Sequence, residues 1–171
     1  TMMGLKRIMM VGAVLATAAC AASEMPAMPQ MGNLAPAYAA TTLAGEAVSL
    51  ESLRGEVVLL NFWATWCGPC RFETPFLQEL FEEYDERGFE IVGVSMDTGD
   101  AADQVAMFVE EYGVSYTILH DSQMRGMEVY QILGLPATFL LDREGTLVWM
   151  KYGPVSETDT AFFQAIEDAL N

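Results

Sequence analysis

Val57-Val-Leu-Leu-Asn-Phe-Trp-Ala-Thr-Trp-Cys-Gly-Pro-Cys-Arg71 is the stretch on which the reading of the chain turns. Val57 to Trp63 is an apolar run broken only by Asn61, the pattern of a strand covered on both faces. A helix is predicted from Gly68 to about Arg87, with Phe76, Leu77, Leu80, Phe81 and Tyr84 at helical spacing and a kink expected at Pro75. Cys67 and Cys70 therefore sit where a buried strand turns into a helix. The N-terminal end of a helix carries unpaired N–H groups and the positive end of the macrodipole, which favour a thiolate. A spacing of three puts Cys70 on the same helical face, within reach of Cys67 for a disulfide. Gly68 and Pro69 suit the opening turn, because a proline there forfeits no hydrogen bond. Cys67 is expected to be the exposed nucleophile and Cys70 the covered, resolving thiol.

Outward from this motif, the remaining segments build one α/β domain. Tyr38–Thr42 and Ala47–Leu50 flank Ala44-Gly45-Glu46 as an N-terminal hairpin, with a second turn near Arg54-Gly55. Residues 90–96 read as a second buried strand, 101–112 as an amphipathic helix carrying Val105, Phe108 and Val109, and 116–119 as a short strand. A further helix is expected over 123–133. Strands over 138–141 and 147–150 are joined by Arg143-Glu144-Gly145 as a hairpin. Ser156 is expected to cap the last helix with Asp159 as its capping-box partner, and Phe162, Phe163, Ile166 and Leu170 form its buried stripe. The order β-α-β-α-β-α-β-β-α predicts a mixed central sheet, parallel where helices cross over and antiparallel at the final hairpin, with helices on both faces.

Hydrophobic residues are 52% of the 171, and charged residues 19%, enough apolar material for one real core and too much for disorder. The formal charge is -16; all 24 acids follow Cys20, whereas Lys6 and Arg7 precede it. A surface this negative repels phosphate backbones, so nucleic acid is excluded as a partner, and solubility accounts for the acidity. Residues 1–20 read as an export signal: Lys6 and Arg7 form the charged region, and Ile8–Ala19 is an apolar run too short to span a bilayer. Thr17-Ala18-Ala19-Cys20 reads as a lipobox that would lipidate Cys20, with Thr17 where Leu is preferred; ordinary cleavage around Ala16-Thr17-Ala18 or Ala19-Cys20-Ala21 also fits. Residues 21–35, rich in Ala, Met and Pro, are expected to be a flexible tether, and the domain to run over 36–171. Met25, Met28 and Met31 are evenly spaced thioethers, but neither His nor Cys reinforces them as a copper site.

With Cys20 at the leader junction, the folded part keeps two thiols. They close too short a loop to act as a stabilising staple, which leaves chemistry as their purpose. Structural zinc takes four ligands, and two Cys plus His120, read as a surface turn residue, are too few; no metal or other cofactor is expected.

The 61–71 stretch resembles the active-site segment of thioredoxin-like proteins. Val48-Ser-Leu-Glu-Ser-Leu-Arg-Gly55 before it and Glu73-Thr-Pro75 after it resemble the membrane-tethered TlpA/ResA branch, and Gly134-Leu-Pro-Ala-Thr-Phe-Leu140 matches that family's cis-proline segment. The likeness covers roughly 36–171, in the right order, with a central insertion longer than in plain thioredoxin. It implies a thioredoxin-like fold with an N-terminal hairpin extension, and a periplasmic or cell-surface protein that passes electrons between protein thiols. Apocytochrome c is one such substrate, and a membrane electron donor would recharge the pair. It also implies a cis bond before Pro136, opposite the cysteines, with Leu135 free to pair with a substrate strand and Trp66 on the substrate-facing surface. Peroxidases of the same fold use a single peroxidatic Cys, and the paired motif argues against them. Thioredoxins carry a buried Asp where this chain has Asn61. Glu73 and Asp97 are the two carboxylates in segments suited to take the proton of the resolving thiol instead.

Overall fold

The computed structural model describes residues 28–171, so residues 1–20, read above as an export signal, and with them Cys20, lie outside the described residues, as does Met25. Among the described residues, seven strands form one sheet: β1 (Ala39–Thr42), β2 (Ala47–Ser49), β3 (Val57–Trp63), β4 (Phe89–Ser95), β5 (Thr117–His120), β6 (Ala137–Leu141) and β7 (Leu147–Tyr152). Their spatial order is β2-β1-β5-β4-β3-β6-β7. β3, β4 and β5 are parallel, as crossover connections require. The N-terminal hairpin joins one side through an antiparallel β1–β5 pairing, and the β6–β7 hairpin closes the other.

Among the described residues, four α-helices cover the sheet: α1 (Gly68–Tyr84), α2 (Ala102–Glu111), α3 (Arg125–Val129) and α4 (Thr160–Leu170). β3 shows why both faces must be covered, since all seven of its residues are buried. Val57, Leu59 and Trp63 point to one side, into a core with Leu77 and Leu80 of α1, Val105 and Phe108 of α2, and Phe162 and Ile166 of α4. Val58, Leu60 and Phe62 point to the other, among Tyr38, Val92, Val94, Tyr130 and Phe139. That alternation is the period of two of a strand, with apolar residues at both phases. α3 closes the second face so tightly that a Cβ on Gly126 would collide with the Phe62 ring.

Three expectations change. The helix expected over 123–133 is only the five residues of α3. Met124 and Gln131, at φ 56° and 50°, take left-handed backbone at its two ends, which ends a right-handed helix there. The cap of α4 is Asp159, not Ser156: Asp159 Oδ1 accepts from the Phe162 amide at 3.2 Å, and Lys151 holds its Oδ2 at 2.8 Å. Ser156 lies in the exposed turn before it, against Thr158. Finally, the described part of the 21–35 segment is docked. The Gly32 amide donates to the Leu147 carbonyl, the Leu147 amide to Asn33, and the Ala35 amide to Gly145, so this segment lies along the start of β7.

Candidate active site

Cys67 is the N-cap of α1. Its backbone is extended, Pro69 stands in the first turn behind it, and its Sγ accepts from the Cys70 amide at 3.2 Å. The two sulfurs are bonded in a disulfide closing a separation of three residues. Cys67 is 5% exposed and Cys70 0%. Both cysteines are buried, so Cys67 is not the exposed residue expected: its sulfur is tucked against the first helical turn and bonded to Cys70.

The Leu135–Pro136 bond is cis. Pro136 is buried and its carbonyl accepts from the Gly153 amide at 2.8 Å, which ties the segment to the end of β7. Leu135 is half-buried, whereas Trp66 and Leu133 are 68% and 98% exposed and Phe72, in α1, 86%. Large apolar side chains held this far into water are costly to leave uncovered, and they flank the motif and the cis-proline segment in sequence. Reading the sequence drew out Trp66 and missed Phe72 and Leu133. A helical wheel of α1 places Phe72 off the buried stripe, and that was the available signal.

Glu73, one helical turn beyond Cys70, is buried. Its Oε1 accepts from Asn61 Nδ2 at 2.9 Å and its Oε2 from the Val155 amide at 2.9 Å. Asn61 also donates to Thr138 Oγ1 at 3.0 Å, so the residue standing where thioredoxins have Asp hands its amide to a carboxylate from α1. Burial pushes the Glu73 carboxyl up to about 7, against the two hydrogen bonds and the charge of Lys151, which pull it down. A carboxyl that titrates near neutrality can accept and return a proton under ordinary conditions.

Asp97 is equally buried but belongs to a different network. Its Oδ2 accepts from the Thr65 amide at 3.0 Å and from Ser95 Oγ at 2.8 Å, and its Oδ1 from Thr65 Oγ1 at 2.6 Å. His120, expected in a surface turn, instead ends β5, where its Nε2 donates to the Asp97 carbonyl at 2.8 Å. The structure thus brings Cys67, Cys70 and Glu73 onto one helix, and joins Asp97 to the loop that enters it.

Comparison with known proteins places the chain among thiol-disulfide oxidoreductases. A family model described as the AhpC/TSA family matches residues 31–150. The thiol-disulfide oxidoreductase ResA of Bacillus thuringiensis (strain Al Hakam) is 39% identical over 119 residues, covering 70% of this chain and 68% of the relative. ResA of Bacillus subtilis (strain 168) is 33% identical over 127 residues, 74% and 70% of the two chains. Among solved structures, a Chlorobium tepidum protein assigned as thiol:disulfide interchange protein DsbE superposes with a TM-score of 0.77 at 31% identity, over 84% of this chain and 99% of that one.

Proposed function

The chain belongs to the AhpC/TSA family and is a thiol-disulfide oxidoreductase of the thioredoxin fold, and from that premise we propose that it reduces disulfides of protein substrates outside the cytoplasm, with Cys67 attacking and Cys70 resolving. The observation that carries this reading is the placement of Cys67 as the N-cap of α1, with Cys70 wholly buried one turn inside. In the reduced enzyme the Cys67 thiolate attacks a substrate disulfide, forms a mixed disulfide and releases one substrate thiolate. Cys70 gives its proton to Glu73 and attacks the Cys67 sulfur. The Cys67–Cys70 disulfide closes, and the second substrate thiolate leaves. Trp66, Leu135 and Pro136 form the surface on which the substrate strand lies.

Two electrons leave the enzyme in each turn, so a reductant exported to an oxidising compartment needs a membrane electron donor. The charged and apolar leader supports export, and Thr17-Ala18-Ala19-Cys20 supports a lipid anchor on Cys20 at the periplasmic or cell-surface face. The oxidised cysteine pair of apocytochrome c is one substrate consistent with this placement. A reducing direction follows from Gly-Pro between the cysteines, with no histidine there to hold the thiolate: the couple should lie nearer about -270 mV than the roughly -120 mV of a strong oxidase. The test is a trap. Cys70→Ser should accumulate mixed disulfides through Cys67 while reducing insulin no faster than background; more mixed disulfide from Cys67→Ser would reverse the assignment of the two thiols.

A further inference from the structure

We propose that Asp97 and Arg71 are positioning residues for thiol-disulfide exchange, acting together on Thr65 to fix the segment that delivers Trp66 and Cys67. Thr65 lies between the end of β3 and the start of α1, outside any ladder or helical hydrogen-bond series. Each of its polar groups is nevertheless taken by a charged side chain. Its amide and hydroxyl donate to the two oxygens of Asp97, at 3.0 and 2.6 Å, and its carbonyl accepts from Arg71 Nη1 at 3.1 Å. The amide belongs to the peptide before Thr65 and the carbonyl to the peptide after it. Neither plane can turn without breaking a charge-assisted hydrogen bond, and such bonds are roughly twice as strong as neutral ones.

Both anchors are themselves held. Asp97 is buried, with Ser95 Oγ on its carboxylate and His120 on its carbonyl. The Arg71 guanidinium lies 5.3 Å from the Phe108 ring centre and 5.6 Å from that of Tyr112, beside Glu111 at 3.5 Å. Phe108 and Glu111 are in α2 and Tyr112 directly follows it, so the second crossover helix steadies the turn that carries the nucleophile. The loop continues from this strut into the Cys67 amide, which donates to the Ala64 carbonyl at 3.1 Å. An attacking sulfur misplaced by a fraction of an ångström loses rate steeply, which gives the strut its purpose.

The inference rests on Cys67 as the attacking thiol, and one experiment reports on both. In reduced wild type, Asp97→Ala, Asp97→Asn, Thr65→Val and Arg71→Met, the rate constant for insulin reduction per folded molecule is measured with the pH profile of iodoacetamide alkylation, and the alkylated cysteine is mapped. Asp97→Ala should slow reduction about 10-fold and displace the alkylation profile. Asp97→Asn, which keeps an acceptor, should recover part of the loss. The double variant Asp97→Ala/Thr65→Val should be no slower than Asp97→Ala alone, because both remove one network. Should Asp97→Ala fail to fold, Thr65→Val and Arg71→Met carry the same comparison. A lower melting temperature with wild-type rate and profile, Cys67 still being the alkylated residue, overturns the strut alone. Alkylation at Cys70 overturns the nucleophile and the strut with it.

Discussion

Glu73 and Asp97 are both carboxylates at 3% exposure, one a turn past Cys70 in α1 and the other just beyond β4, and they differ in what surrounds them. Glu73 receives two amide donors and is buried, so desolvation prevails and its carboxyl rises to about 7. Asp97 receives three donors, two of them from the one residue it holds. We read the first carboxyl as the one that takes a proton in the reaction and the second as a fastener for the loop. The largest expected effect tests this division. Glu73→Gln keeps the shape, removes the titration and should reduce turnover in insulin reduction roughly 10²–10⁴-fold, the usual worth of general acid–base catalysis, with mixed disulfide accumulating. Asp97→Asn should cost less than that and accumulate none. Equal losses in the two variants would erase the distinction.

The second effect is on stability. A carboxyl raised from 4.5 to about 7 in the folded state binds its proton more tightly folded than unfolded. Its contribution is fully present below pH 4.5 and is lost as the pH rises through about 7. Unfolding of the oxidised protein in urea at pH 5 and at pH 8 should therefore show wild type losing on the order of 3 kcal/mol relative to Glu73→Gln. A parallel pH dependence in both proteins would mean that Glu73 does not carry the shift.

How far this was legible in the sequence follows from where each partner comes from. β3 is read to the residue, because a strand covered on both faces is apolar almost throughout, and the cysteine pair is a local pattern of identity and spacing, whereas the cis bond before Pro136 was implied by the family resemblance of residues 134–140. The two acids were legible only as alternatives. Their segments suit them equally, and the donors that separate them lie 12 and 82 positions away for Glu73 and 32 for Thr65 to Asp97. The short α3 was not legible, since neither Met124 nor Gln131 is a residue that announces positive φ. Nor was the docking of Gly32–Ala35 on β7, which is made through backbone groups that any side chains would supply.

Asp159 extends the comparison to a third acid, engaged with an amide and an ammonium. It caps α4, and the Lys151 ammonium first of all holds its carboxyl below the usual range. Asp159→Ala should destabilise the protein by about 1 kcal/mol, the common cost of a lost N-cap. Ser156→Ala, in the exposed turn, should stay within about 0.5 kcal/mol of wild type. Urea midpoints distinguish the two, and a larger cost at Ser156 would restore the capping box read from the sequence.

Lys151 joins Asp159 to Glu73 and gives the smallest effect. It lies in β7, half-buried, bonded to Asp159 at 2.8 Å, and its charge also pulls the Glu73 carboxyl down, as the weakest of the influences on that group. Lys151→Met keeps the apolar stem and removes the charge. The Glu73 midpoint should then move upward, because burial goes on disfavouring the anion while one source of its stabilisation is gone. The pH at which wild type gives up the Glu73 contribution should rise with it. The carboxyl ¹³C shift of Glu73, followed against pH in wild type and Lys151→Met, reads this directly. An unchanged midpoint would place the Lys151 charge too far into solvent to reach Glu73, and a downward one would mean that the variant lets water into the pocket and relieves the burial on which the contrast between the two acids depends.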